Sequence, residues 1–117
     1  VSYYENGNIK EDHRTYWNDK GKLTSYITTH YFQTGVKSSY VRFNNETFES
    51  LNINYYENSN KRSMLNIKNW FGSDEKANES ETYYQNGNMS SYEMKIINTK
   101  NNRVYLYNVG LTTHFRY

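Results

Sequence analysis

The sequence predicts an all-β protein: an antiparallel meander of repeated β-hairpins forming an elongated, twisted single sheet or solenoid. Three observations carry that expectation. A motif of an aromatic pair, a polar residue, a turn dipeptide and a polar strand start recurs from Tyr3, Tyr31, Tyr55 and Tyr83, at separations of 28, 24 and 28 positions. After each turn, apolar and polar residues alternate at period two, and no window carries the i, i+3, i+4, i+7 stripe of an amphipathic helix. The composition suits a thin, half-wet sheet, with 14 Tyr and 18 Asn against a single alanine, Ala77. Tyr buries a ring while its hydroxyl stays in water, Asn favours turns, and the best helix former is nearly missing.

The first repeat, about residues 3–30, opens with Tyr3-Tyr4-Glu5-Asn6-Gly7-Asn8-Ile9-Lys10. Asn6-Gly7 is a preferred type I′ dipeptide, because both central residues of that turn need φ > 0. A looser second series begins at Tyr16-Trp17 with Lys20-Gly21-Lys22-Leu23; Tyr16, Phe43 and Trp70 are each 27 apart. From Leu23 the residues Leu23, Ser25, Ile27, Thr29 and Tyr31 share one strand face, opposite Thr24, Tyr26, Thr28, His30 and Phe32.

The second repeat, about 31–54, carries Tyr31-Phe32-Gln33-Thr34-Gly35-Val36-Lys37, and in the strand that ends it Leu51, Ile53 and Tyr55 oppose Ser50, Asn52, Asn54 and Tyr56. In the third, about 55–82, Ser59 stands where Gly is expected, which predicts a poorer turn and a longer loop. Its strand sets Ser63, Leu65 and Ile67 against Met64, Asn66 and Lys68, and the charged stretch 72–78 predicts a seven-residue loop. The fourth, about 83–102, carries Asn86-Gly87, and residues 103–117 depart from the pattern as an atypical C-terminal cap. Nine or ten strands follow, joined in sequence order, because no long crossover segment exists. Each should bury one face and wet the other.

At 117 residues the chain is one small domain. Ile, Leu, Val and Phe number 21, about 18% of the chain, which is under the roughly 20% that signals disorder; the formal net charge of only +2 removes the other half of that signature. That charge also argues against nucleic acid, as do Glu49, Glu57, Glu79, Glu81 and Glu93 among Lys61, Arg62, Lys68, Lys95 and Arg103. The absence of Cys excludes disulfides, thiolate zinc sites and cysteine nucleophiles. No apolar run approaches the roughly 20 residues of a membrane-spanning helix, so no transmembrane segment is expected. With Val1 first and the repeat under way at Tyr3, the expectation is a trimmed piece of something longer.

Chemistry-bearing constellations are not expected. His13, His30 and His114 fall in three separate strands without metal-ligand spacing. Glu11-Asp12 and Asp74-Glu75 are sequence neighbours, which point to opposite faces of a strand. Neither a nucleophile elbow nor a phosphate-binding loop is present. The chain is therefore expected to have no catalytic residue, metal or cofactor. The aromatic pairs remain. One ring of each should face inward as a packing rung and the other outward. Tyr4, Trp17, Phe32, Tyr56, Trp70 and Tyr84 are the candidate partner-binding aromatics, because Tyr and Trp dominate interface hot spots. A single bulge reverses that parity. Two open sheet edges also allow a homodimer by edge pairing.

The recurring YYxNGxxK pattern resembles the MORN-type repeat in its bacterial variant, the YwqK-type antitoxin-like proteins. The residues that carry it are Tyr3, Tyr4, Asn6, Gly7, Ile9, Lys10, Tyr31, Gly35, Lys37, Tyr55, Tyr56, Asn58, Tyr83, Tyr84, Asn86, Gly87 and Met89, over residues 3 to about 98. The resemblance implies a curved single-layer sheet with aromatics shared between units. It also implies a non-catalytic binding or scaffolding role toward partner proteins and sometimes lipids. The antitoxin-like variant implies a toxin partner and a bacterial cytoplasmic setting. The Gly-x-Gly that often closes such a unit is absent, and the spacing is a few residues longer than usual. Aromatic-glycine hairpin solenoids of cell-surface proteins, which bind choline or sugars in aromatic cages, look similar. They usually carry Trp in each unit, whereas Trp occurs here only at positions 17 and 70. The expectation is a non-catalytic protein-binding repeat module, with a surface or secreted carbohydrate-binding module as the alternative.

Overall fold

The computed structural model describes residues 1–69 and 75–98 and the backbone of 103–106. Its nine strands are β1 (Ser2–Tyr3), β2 (Ile9–Trp17), β3 (Leu23–Tyr31), β4 (Lys37–Asn44), β5 (Ser50–Tyr55), β6 (Lys61–Asn69), β7 (Glu75–Tyr83), β8 (Met89–Asn98) and β9 (Arg103–Leu106). They form one open antiparallel sheet in sequence order, the expected meander. The molecule is a thin plate of 50 × 49 × 17 Å.

Five hairpins share one turn, opened by Tyr4, Asn18, Phe32, Tyr56 and Tyr84. Each of these residues donates its N–H to the carbonyl four positions on and accepts from the N–H three positions on. This is a three-residue loop ending in a left-handed residue, not the two-residue type I′ turn that Asn6-Gly7 and Asn86-Gly87 predict. Only the third residue needs φ > 0: Gly7, Gly21, Gly35, Ser59 and Gly87 have φ between 76° and 94°. Asn6 serves differently, its Oδ1 accepting the N–H of Asn8 at 3.0 Å, and Asn58 and Asn86 do the same for Asn60 and Asn88. Ser59 does not lengthen its loop as expected. It takes the glycine's place at φ 76°, a conformation that costs an L-residue on the order of 1 kcal/mol.

Each of these turns is followed by a bulge. The pairing passes from Tyr3↔Ile9 to Ser2↔Glu11, from Trp17↔Leu23 to Tyr16↔Ser25, and from Tyr31↔Lys37 to His30↔Ser39. The same slip occurs at Tyr55↔Lys61 and Tyr83↔Met89. Lys10, Thr24, Ser38, Arg62 and Ser90 are therefore extra residues with no partner in the ladder. The side chains flanking a bulge share a face. Thr82 shows this directly, because its hydroxyl bonds both Ser90 Oγ, at 2.6 Å, and Ser91 Oγ.

Cross-strand partners lie on one face, so the register sorts the sheet. One face carries rows such as Glu11, His30, Ser39, Asn54, Ser63, Thr82 and Ser91. The other carries Ile27, Tyr40, Leu51, Ile53, Met64, Tyr92, Met94, Ala77 and Ile96. The alternation expected from sequence holds away from the bulges. Its one-sided burial does not: without a second layer most residues on both faces are half-buried. The four residues buried among those described, Thr29, Ala77, Met94 and Ile96, nevertheless all lie on the second face. Tyr92 packs on the cluster of Ala77, Met94 and Ile96.

Residues 75–78 of the expected loop are strand instead, since β7 begins at Glu75. Strands on both sides, β6 and β8, pair with residues 76–78, and this backbone pairing overrides their charged composition. Lys76 is satisfied within it, its Nζ donating to the Thr47 carbonyl at 3.0 Å and to Asn69 Oδ1.

Candidate functional site

The turns between β1 and β2, β3 and β4, β5 and β6, and β7 and β8 line up along one margin of the sheet, and side chains clasp them in pairs. Tyr4 Oη donates to the Tyr31 carbonyl at 2.6 Å, while Asn6 Nδ2 and Asn8 Nδ2 both donate to the Gln33 carbonyl, at 2.9 and 2.7 Å. Fifty-two residues on, Tyr56 Oη donates to the Tyr83 carbonyl at 2.7 Å. Asn58 and Asn60 donate to Gln85 at 2.8 and 3.0 Å. The clasp needs a Tyr followed by Asn at the second and fourth positions, facing a turn 28 residues ahead. Phe32 has no hydroxyl, Thr34 and Val36 replace the asparagines, and the next turn is only 24 residues on. The boundary between the Phe32 and Tyr56 turns is therefore unclasped.

A groove of about 620 Å³ opens across that boundary. Its floor is the row His30, Ser39, Asn54 and Ser63 together with the bulge residue Ser38. Tyr4, Tyr31, Phe32 and Tyr55 bound it on the turn side, and the bulge residues Lys10 and Arg62 stand at its two ends. A smaller hollow of about 220 Å³, lined by Val36, Lys37, Tyr55 and Ser59, lies at the same boundary. In place of a clasp, Lys37 Nζ lies over the Tyr40 and Tyr55 rings, 5.6 and 5.8 Å from their centroids.

Cations mark the groove. Lys10 Nζ sits 5.8 Å from the Tyr4 ring and the Arg62 guanidinium 5.9 Å from that of Tyr56. Both are exposed. The ion pairs among the described residues are Arg14–Asp12 and Lys95–Glu93, so neither groove cation is neutralised. Burial, then neighbouring Tyr40, pushes the Tyr55 hydroxyl above its ordinary pKa and keeps it a donor. On the same face as Tyr55, opposite the groove, two further hydroxyls are pushed up to about 12. Burial is the larger cause for Tyr83, aided by its 2.5 Å bond to Glu81; for Tyr92 it is the 2.7 Å bond to Glu79.

The candidate aromatics are distributed unevenly. Tyr4 and Phe32 line the groove, with Tyr4 also acting as a clasp. Tyr56 is the second clasp and supports Arg62. Tyr84 is half-buried and opens the β7–β8 turn. Trp17 stands apart at the end of β2, 61% exposed, its Nε1 donating to Thr15 Oγ1 at 3.2 Å. Trp70 and His114 lie outside the described residues, as does most of the expected cap. His13 is taken up by Thr28, whose Oγ1 is 2.6 Å from its Nδ1. Glu11, His30 and Ser39 stand side by side in one row, yet no hydrogen bond joins them, so they are not poised as a nucleophile and base. Among the described residues, no three His, Asp or Glu side chains are grouped to hold a metal ion.

The candidate residues read from the sequence do not include Lys10, Arg62, Asn8 or Asn60, which the structure places at the groove and in the clasps. Their recurrence at 52 positions was the available signal. Compared with known proteins, the chain matches no family model, no curated protein and no solved structure.

Proposed function

We propose that this chain is a non-catalytic repeat module that binds another protein, in the antitoxin-like, immunity-like or scaffolding role that its resemblance to MORN-type repeats implies. The observation that carries this reading is the groove at the unclasped boundary. Its aromatics belong to turns and strand ends, and the Tyr4 hydroxyl is held by the clasp, so that ring is ordered before a partner arrives. A preordered Tyr together with an exposed Arg is what interface hot spots are rich in. A toxin as the partner rests on the resemblance alone. The test is affinity capture by the tagged chain from lysate of its source organism. One stoichiometric protein supports the reading; retention on cell-wall material with no protein captured turns it to carbohydrate binding.

A second contact is favoured by the edge of the sheet. β1 pairs with β2 only through Ser2 and Tyr3, which leaves the outer backbone edge of Asp12–Trp17 without a neighbouring strand among the described residues. Tyr3, Tyr16 and Trp17 are exposed beside it. Unpaired edges of this kind recruit strands, and the reading is a second copy paired edge to edge. Sedimentation at increasing concentration tests it, and a strictly monomeric chain removes it.

A further inference from the structure

We infer that the groove takes an extended acidic segment of the partner, about six residues long, with carboxylates toward its two ends and an apolar middle. The inference rests on the protein-binding reading and names the chemistry of what is bound. It starts from the two bulges. Lys10 and Arg62 are the extra residues of equivalent hairpins, 52 positions apart, and the bulge turns each onto the face of its neighbours Glu11 and Ser63. They stand on β2 and β6, four strand spacings apart, or about 19 Å. A chain in extended conformation crosses that distance in about six residues.

Charge sets the ends of the ligand. No Asp or Glu lines the groove among the described residues. Glu11 stands next to Lys10 and opposite His30, and Glu57 occupies the turn after Tyr56; neither is within ion-pair distance of a groove cation. The Tyr4 and Tyr56 rings lie 5.8 and 5.9 Å from the two cations, both of which stay exposed to solvent. Between the ends, Phe32 beside the Tyr4 ring offers an apolar margin, and the hydroxyls of Ser38, Ser39 and Ser63 can bond a peptide backbone. Basic ends and an aromatic middle define an acidic, apolar, acidic segment.

The test uses the full chain and a fluorescein-labelled peptide, Glu-Asp-Phe-Tyr-Asp-Glu, read by fluorescence anisotropy. Its uncharged isostere, Gln-Asn-Phe-Tyr-Asn-Gln, is the control. The acidic peptide binds, weakens as salt rises, and loses about tenfold in affinity in the Lys10→Gln/Arg62→Gln chain. Equal binding of acidic peptide and isostere overturns the inference, as does undiminished binding by the double variant. The isostere comparison uses the wild-type chain and stands whatever the variant's stability. Binding of an oligogalacturonate but not of the peptide also overturns it, in favour of an anionic saccharide. Capture separates the two levels: a stoichiometric protein held equally by wild type and double variant keeps the protein-binding reading and removes the groove assignment. If no protein is captured and no peptide binds, both fall.

Discussion

Lys10 and Arg62 occupy the same place in the fold twice over: each is the unpaired residue of a bulge, each lies over the tyrosine that opens its turn, and together they bracket one groove. The structural unit behind this relationship is 52 residues, two hairpins long. Tyr4 repeats as Tyr56, Asn8 as Asn60, Gln33 as Gln85 and Ser38 as Ser90. Clasps tie hairpins within a unit, and the groove opens where one unit meets the next.

Removing a clasp hydroxyl should cost stability without changing the ring. Tyr4→Phe and Tyr56→Phe are each expected to lower unfolding free energy by about 1 kcal/mol, and their effects should add because the sites share no partner. Phe32→Tyr should change little, since no turn stands 28 residues ahead to accept its hydroxyl. Urea denaturation of the three variants checks this, and a gain from Phe32→Tyr equal to the losses elsewhere would contradict it.

The left-handed turn positions differ in what they tolerate. Ser59→Gly relieves φ 76° and should stabilise the chain by about 0.5–1 kcal/mol. Gly87→Ala should do the reverse by about 1–2 kcal/mol, because its φ is 94° and its new Cβ would sit 3.5 Å from the clasp atom Asn60 Nδ2. Melting temperatures of both variants give the signs.

Burial is concentrated at one place. Ile96, 1% exposed between Ala77 and β9, should cost about 2–5 kcal/mol when cut to Ala. Leu65→Ala, on the opposite face and 40% exposed, should cost under about 1 kcal/mol. Similar losses in calorimetry would mean that both faces are equally covered.

Tyr83 and Tyr92 make stability sensitive to alkali. Their folded pKa values, about 12, exceed the ordinary 10.0, so the folded state favours the neutral hydroxyl. The stability they contribute is complete below pH 10 and disappears as the pH rises through 12. A phenolate absorbance titration should show these two ionising after most of the 14 tyrosines. Glu79→Gln should bring Tyr92 back toward its ordinary value, and an unchanged late phase in that variant would refute the assignment.

The strand order was legible because its signals are local: turn dipeptides, period-two alternation and a shortage of Ala act within a hairpin. The turn type was not, because Asn-Gly serves both the two-residue turn and the three-residue loop, and the choice between them shifts the register by a residue. That shift re-aims Lys10 and Arg62, which in the sequence alone look like ordinary polar strand starts. The clasps were hidden for another reason. They join residues 25 and 27 positions apart, and alternation within a strand carries no information about which turn a side chain will reach. The stretch 75–78, with Glu75 and Lys76 in it, concealed a strand because pairing on both sides decided its conformation.

The clasps are the basis of both the rigid margin and the opening between the Phe32 and Tyr56 turns, and side-chain amide NMR observes them directly. Asn6, Asn8, Asn58 and Asn60 should show slowly exchanging Nδ2 protons with cross-peaks to the turns at Gln33 and Gln85, unlike exposed Asn52. Amide protons that exchange as fast as those of Asn52, with no contact across the turns, would contradict the account.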